Sequence, residues 1–155
     1  MPYKVLFVSN TANFSKFNRP FMRWFKLQGW QVDYISSGEE NIFDCDNQYT
    51  VCIARNPFSM KNIKAYKKFK EILENDYDII HCHTPMGGCL SRLAARKKRA
   101  MIIYTAHGFH FFKGAPLINW LLYYPIEKYL SRYTDCLITI NQEDYNFARK
   151  KFKMS

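Results

Sequence analysis

All four histidines of this chain, His81, His83, His107 and His110, fall within Asp78 to Gly114, which contains DIIHCHTPMGG and, further on, MIIYTAHGFHFFKG. Imidazole titrates near neutral pH, so such a gathering suits proton transfer, hydrogen bonding to a polar substrate, or metal ligation. Metal is the least supported of the three, because a His-x-His pair and a His-x-x-His pair lack a carboxylate or thiolate at a characteristic spacing. His81, inside an apolar run, reads as a hydrogen-bonded core residue. Thr84-Pro85-Met86-Gly87-Gly88 has the form of an N-cap, an N1 proline and a first helical turn. Bare N–H groups there can bind an anion, or the two glycines can serve close packing of the helix on a sheet, and the residues leave both open. His107-Gly108-Phe109-His110 is the sharpest signal. A histidine leaves a strand, a glycine frees the backbone, and neighbouring aromatics can enclose a polar ring or pack beneath the next helix.

The elements that must position these groups follow from periodicity. Lys4 to Ser9 reads as a buried first strand, and Asn10 to Asn13 as a polar loop. Phe14, Phe17, Phe21 and Phe25 recur at helical spacing, with Asn18 as N-cap, Pro20 in the first turn and Gly29 closing the helix. Gln31 to Ser36 and Tyr49 to Ala54 read as the second and third strands. Ser59 to Asn75 reads as a helix with Ile63, Tyr66, Phe69 and Leu73 inward. Ile79 to His83 and Met101 to Thr105 are strands four and five, flanking a helix that buries Met86, Leu90, Leu93 and Ala94. A helix from about Pro116 to Tyr133, kinked at Pro125, precedes strand six at Asp135 to Ile140. Asn141 with Asp144 then caps the last helix. Alternating strands and helices predict a three-layer α/β fold, a Rossmann-like parallel sheet in the order 3-2-1-4-5-6. Its switch point sets Asn10 and Thr11 beside His83 and Thr84, with His107 one strand further along.

A length of 155 residues suits one domain, and 17% aromatic residues exceed the needs of a plain core, so some are expected at a site or interface. The net charge of +10 concentrates in Lys61 to Lys70, Arg92 to Arg99 and Arg149 to Lys153. Such clusters are either solvated helix faces or attractors of nucleic acid, an anionic bilayer or a phosphate-bearing substrate. No RNP, KH or helix-turn-helix signature accompanies them, which disfavours nucleic acid. Neither a Walker sequence nor GxGxxG occurs, and Ser9 to Asn13 contains no glycine, which disfavours a dinucleotide. Five cysteines without a CxxC pair suit a reducing cytoplasm. The Val5 to Val8 run is too short for a secretory signal, and Ile118 to Ile126 falls well below the ~20 residues of a membrane span, so membrane contact would be peripheral.

KVLFVS, DIIHCHTPMGG, IIYTAHGFHFFKG and NWLLYYPIEKYLSRYTDCLITINQEDYNFA together resemble the N-terminal half of bacterial family 4 glycosyltransferases that assemble capsular or exopolysaccharide. The resemblance spans nearly the whole chain. It implies the GT-B architecture, in which two Rossmann-like domains face each other across a cleft, residues 1–155 being the N-terminal, acceptor-side domain and the donor-binding domain lying beyond them. It implies a nucleotide-sugar donor, a saccharide or lipid-diphosphate-saccharide acceptor, transfer with retention, and neither metal nor cofactor. His107 would hydrogen-bond the transferring sugar as the catalytic residue. The substrate-binding set would be Asn10, Thr11, His83, Thr84, Gly87, Gly88, Gly108, Phe109, His110, Asn141 and Glu143. The first loop lacks the glycine pair that many members carry there, which weakens donor contact from that side. The lysine-rich helix, with Trp120, Tyr123 and Tyr124, would meet an anionic membrane surface, placing the protein in the cytoplasm, peripheral at the inner face of the cell membrane. Residues 1–155 alone are expected to be inactive. The rival reading is a non-catalytic subunit partnering a separately encoded donor domain.

Overall fold

A parallel strand with helices on both sides has no solvent face, and the first strand, β1 (Lys4–Thr11), is accordingly buried from Val5 to Asn10. The computed structural model, which describes residues 2–155, sets it inside a six-stranded sheet in the order β3-β2-β1-β4-β5-β6. The other strands are β2 (Gln31–Ser37), β3 (Asn47–Thr50), β4 (Ile79–His83), β5 (Met101–Ala106) and β6 (Cys136–Thr139), all paired in parallel. The helices are α1 (Ser15–Leu27), α2 (Lys61–Ile72), α3 (Pro85–Ala95), α4 (Leu117–Leu130) and α5 (Gln142–Lys151). Val5, Phe7, Val32 and Tyr34 pack with Met22 of α1 on one face. Leu6, Val8, Ile35, Ile80 and Ile102 pack with Phe69 of α2 and Leu90 of α3 on the other. The expected fold class and strand order are those observed.

The sheet reverses its winding between β1 and β4, where Val5 pairs with Ile79 and Val8 with Cys82. That register brings Asn10 level with Thr84, the residue between β4 and α3. Thr84 has φ +64°, a conformation costly for a β-branched side chain. Asn10 holds it there. The Asn10 N–H donates to Thr84 Oγ1 at 3.2 Å, and the Thr84 hydroxyl donates to Asn10 Oδ1 at 2.7 Å. The same Oδ1 accepts the Gly87 N–H at 2.8 Å. Thr84 occupies the N-cap position as expected, but the side chain that caps α3 comes from β1.

Local boundaries differ from expectation in instructive ways. β1 runs on through Asn10 and Thr11, and residues Ala12–Phe14 form a 3-10 turn rather than a loop. Asn18 is not an N-cap but is buried inside α1, donating from Nδ2 to the Tyr34 hydroxyl, and Pro20 lies within the helix. The buried face of α1 therefore runs through Asn18 and Met22, leaving Phe17 and Phe21 exposed. In α2 the inward residues are Asn62, Ala65, Phe69 and Ile72, whereas Ile63 is half exposed. The α2 and α4 segments each finish in a 3-10 turn, Leu73–Asn75 and Ser131–Tyr133, and Pro125 is accommodated within α4. β3 begins two residues earlier than expected and ends at Thr50.

Arg92 is the largest correction to the charge map. It leaves the surface cluster altogether, being 1% exposed. Its guanidinium donates to both carboxylate oxygens of Glu127 on α4, at 2.9 and 3.1 Å, and to the Gly88 carbonyl at 2.9 Å, and lies 3.9 Å above the Tyr104 ring. This bidentate pair ties α3 to α4.

Replacing Asn10 with Ala should cost about 2 kcal/mol in chemical denaturation, because it uncaps α3 and releases Thr84 together. Arg92→Ala should cost about 3–5 kcal/mol, since it strands the Glu127 carboxylate away from water.

Candidate active site

Beyond the carboxyl ends of β1, β4 and β5 the structure opens into a cleft of about 350 Å³. Asn10, Thr11, Thr84, His107, Gly108 and His110 line it, so six of the residues singled out in the sequence meet in one place. Gly108 has φ +123°, in the region open to glycine, and this lets the chain turn out of β5 after His107. His110 lies against Tyr123 of α4, ring centroids 4.5 Å apart, on the opposite wall.

Behind His107 the imidazoles form a row. His81 Nε2 bonds the Thr105 hydroxyl at 2.9 Å, so His81 is a satisfied core residue. The His81 and His83 ring centroids are 4.3 Å apart, and His83 Nδ1 meets His107 Nε2 at 3.2 Å. Phe14 closes the row edge-on to His107 at 4.8 Å. Burial, the largest cause, pushes His83 down to about 2 and His81 to about 4, and lowers His107 as well. Both buried rings are therefore neutral near pH 7. His83 Nε2 is buried without a partner. A stranded N–H costs more than a stranded lone pair, so the His83 proton sits on Nδ1 and is donated to His107 Nε2. His107, which lines the cleft, then keeps its own proton on Nδ1.

The remaining expected site residues lie elsewhere. His83 is 4% exposed and touches the cleft only through His107. The Gly87 N–H is taken by Asn10 and the Gly88 N–H by the Thr84 carbonyl at 2.8 Å, so neither is free for an anion. A Cβ on Gly88 would stand 2.5 Å from Tyr104 Cε2, and one on Gly87 would stand 2.8 Å from Thr84 Oγ1. Close packing accounts for both glycines. Phe109 is buried, stacked on Phe111 at 4.9 Å, and its N–H donates to Asp144 at 3.1 Å. The aromatic part of the loop is thus pinned beneath α4 and α5, with Trp120, Tyr124, Phe147 and Phe152, instead of covering a ligand. Asn141 caps α5 as expected, accepting the Asp144 N–H at 2.8 Å, and Glu143 accepts the Lys113 N–H at 3.3 Å.

Lining residues outside the expected set include Phe14, Arg55, Cys89 and Glu127, while Tyr123 lines the cleft. Arg55 follows β3 at the carboxyl edge of the sheet, and that position could have identified it. Glu127 had no local signal, because its partner Arg92 is 35 residues away. Tyr104 donates to Glu127 at 3.4 Å. Together the groups offer N–H donors and a cation beside aromatic faces, an arrangement that can hold hydroxyls and a phosphate. Among the described residues no three His, Cys, Asp or Glu side chains converge as a metal-binding group.

Nitrogen-15 NMR should find His107 protonated on Nδ1, and His83→Ala should return it toward the Nε2–H form usual in free histidine. Because the folded values of His81 and His83 lie below the unfolded ~6.5, full stability holds above that pH and falls as acid protonates the unfolded chain. Denaturation between pH 6.5 and 4.5 should show a loss on the order of 1 kcal/mol per pH unit per histidine, reduced in His81→Gln.

Residues 4–141 match the family described as glycosyl transferase 4-like. EpsD of Bacillus subtilis (strain 168), named as a glycosyltransferase, is 49% identical over 154 residues, covering 96% of this chain and 40% of EpsD. A UDP-Gal:alpha-D-GlcNAc-diphosphoundecaprenol alpha-1,3-galactosyltransferase of Escherichia coli is 31% identical over 81% of this chain and 32% of its own length. The chain thus spans less than half the length of the curated relatives it matches. Among solved structures, Anabaena Alr3699/HepE in complex with UDP and glucose superposes with a TM-score of 0.65 at 14% identity, over 97% of this chain and 42% of that one. At that identity the likeness carries the fold alone, and the fold is the Rossmann-like half characteristic of GT-B glycosyltransferases. A family match over most of the chain and near-half identity to EpsD agree, and the chain belongs to the glycosyl transferase 4-like family.

Proposed function

We propose that residues 1–155 form the acceptor-side domain of a retaining, metal-independent transferase that moves a sugar from a nucleotide-sugar to a lipid-diphosphate-linked saccharide in surface polysaccharide synthesis. The observation that carries this reading is the cleft itself. His107 is oriented as a donor by His83, Arg55 supplies a positive charge, and His110 with Tyr123 supplies ring faces on which a sugar can lie. His107 would donate to a hydroxyl of the transferring sugar and stabilise charge as the glycosidic bond to phosphate breaks. The nucleotide would be held chiefly by a second domain across the cleft, so residues 1–155 by themselves would show no turnover.

Membrane contact belongs to the same reading. Lys61, Lys64, Lys67, Lys68 and Lys70 are exposed on α2, and Leu117, Ile118 and Leu121 are exposed on α4, a combination suited to an anionic bilayer that presents the acceptor. Of the three aromatics expected at that surface, Tyr123 lines the cleft, while Trp120 and Tyr124 pack in the aromatic cluster. Among the described residues no helix is long and apolar enough to cross a membrane. The protein would work from the cytoplasmic side as a peripheral protein.

Chemical-shift mapping tests the reading. A lipid-diphosphate disaccharide analogue should perturb Asn10, Thr84, His107 and His110, while nucleotide-sugars do little. Sugar-nucleotide turnover by residues 1–155 alone would overturn the division of labour, and silence of those four residues toward the acceptor analogue would overturn the assignment of the cleft.

A further inference from the structure

A second cavity, an apolar groove of about 810 Å³, runs between α2, α3 and α4. Ile63 and Tyr66 of α2, Leu90 and Leu93 of α3, and Leu122 of α4 form its walls. Nothing in the chemistry assigned above uses it. Pro57, Met86, Cys89 and Ile126 line both this groove and the cleft, so one molecule can occupy the two together.

The two halves differ in chemistry. On the cleft side stand Asn10, Thr84, His107 and the Arg55 guanidinium; on the groove side the walls are hydrocarbon and aromatic. An occupant of both must be an amphiphile whose anionic, hydrogen-bonding head adjoins an apolar chain. From Met86 to Arg96 the groove follows α3 for ten residues, about 15 Å at 1.5 Å per residue. The far end is basic. Arg96 lines it, and Lys67 and Lys70 follow Ile63 and Tyr66 by one helical turn, where a chain emerging from the groove would meet anionic headgroups.

We propose that this groove seats the first isoprenoid units of a polyisoprenyl diphosphate, with the diphosphate at the Arg55 mouth of the cleft and the rest of the chain leaving past Arg96 into the bilayer. The proposal rests on the acceptor reading above and adds a site for the lipid to it. Burial of the hydrocarbon supplies affinity, and the shared wall fixes the distance between the lipid and the sugar. A lipid-linked acceptor is thereby selected over the free saccharide.

The test is a methyl NMR titration of the 155-residue chain with geranylgeranyl diphosphate, inorganic diphosphate and phosphatidylglycerol vesicles as separate arms. The C20 diphosphate should shift the methyls of Ile63, Leu93 and Leu122 together with Ile126, whereas inorganic diphosphate should move only cleft residues. Ile63→Glu, at a half-exposed position, should weaken geranylgeranyl diphosphate roughly tenfold and leave inorganic diphosphate unchanged. In the unmodified chain the C20 diphosphate should also slow alkylation of Cys89 at the shared wall but not of exposed Cys52. Groove methyls that stay still while the cleft responds would overturn the proposal and leave the acceptor reading standing. Equal shifts from vesicles without diphosphate would overturn it in favour of a bilayer contact. Groove shifts with a cleft silent to every saccharide would support the lipid site and remove the acceptor reading.

Discussion

Thr84 leaves β4 with φ +64°, which a β-branched residue adopts only when its surroundings enforce it, and the enforcing group is the Asn10 side chain at the end of β1. One amide oxygen accepts from both the Thr84 hydroxyl and the Gly87 N–H, so a single side chain fixes the turn and caps the helix after it. Much of the site depends on that clamp. It sets the angle at which α3 leaves the sheet, and so places Met86 and Cys89 in the cleft wall and Arg92 within reach of Glu127. The α4 wall, with Tyr123, is positioned in turn by the Arg92–Glu127 pair. Gly88 completes the arrangement, because the absent Cβ lets α3 sit directly on the Tyr104 ring.

The parts of this structure legible in the sequence were those written in local chemistry. Runs such as KVLFVS and DIIHCH specify buried parallel strands by composition, and right-handed crossovers then leave few strand orders, of which the simplest is observed. The position of the cleft followed from the order, since ligands gather where the winding reverses. Asn141 and Asp144 declared their cap because both partners sit within one turn. The illegible parts were long-range. A phenylalanine repeat marked α1 by its helical spacing, but the face that meets the sheet carries Asn18 and Met22, and Phe17 and Phe21 are exposed. Nothing near Arg92 says that it is buried, and nothing near Glu127 says that it waits for Arg92. The glycines at 87 and 88 were compatible with two uses, and only the approach of Tyr104 and the occupied N–H groups decide between them.

The histidine row shows how burial can specify a site's chemistry without any added charge. His81 and His83 lie on the α1 side of β4, covered by Phe7 and Phe14. Desolvation keeps both neutral, and a neutral His83 with its Nε2 sealed has only Nδ1 from which to donate. The tautomer of His107 is therefore decided by the buried ring directly behind it. An imidazole so fixed holds one tautomer without any charged neighbour.

The charge of the cleft follows from the same economy of contacts. Glu127 is the carboxylate on its wall, and the Arg92 guanidinium neutralises it by a bidentate contact inside the protein. Without that partner the carboxylate would repel a phosphate. With it, Arg55 lines the cleft without a carboxylate partner among the described residues, a charge that favours an anionic ligand. Glu127 is thus occupied in holding α4 against α3 and is not free to act as a nucleophile or a base. The cleft therefore presents a guanidinium, polar side chains and aromatic faces, and the carboxylate on its wall is already paired inside the protein.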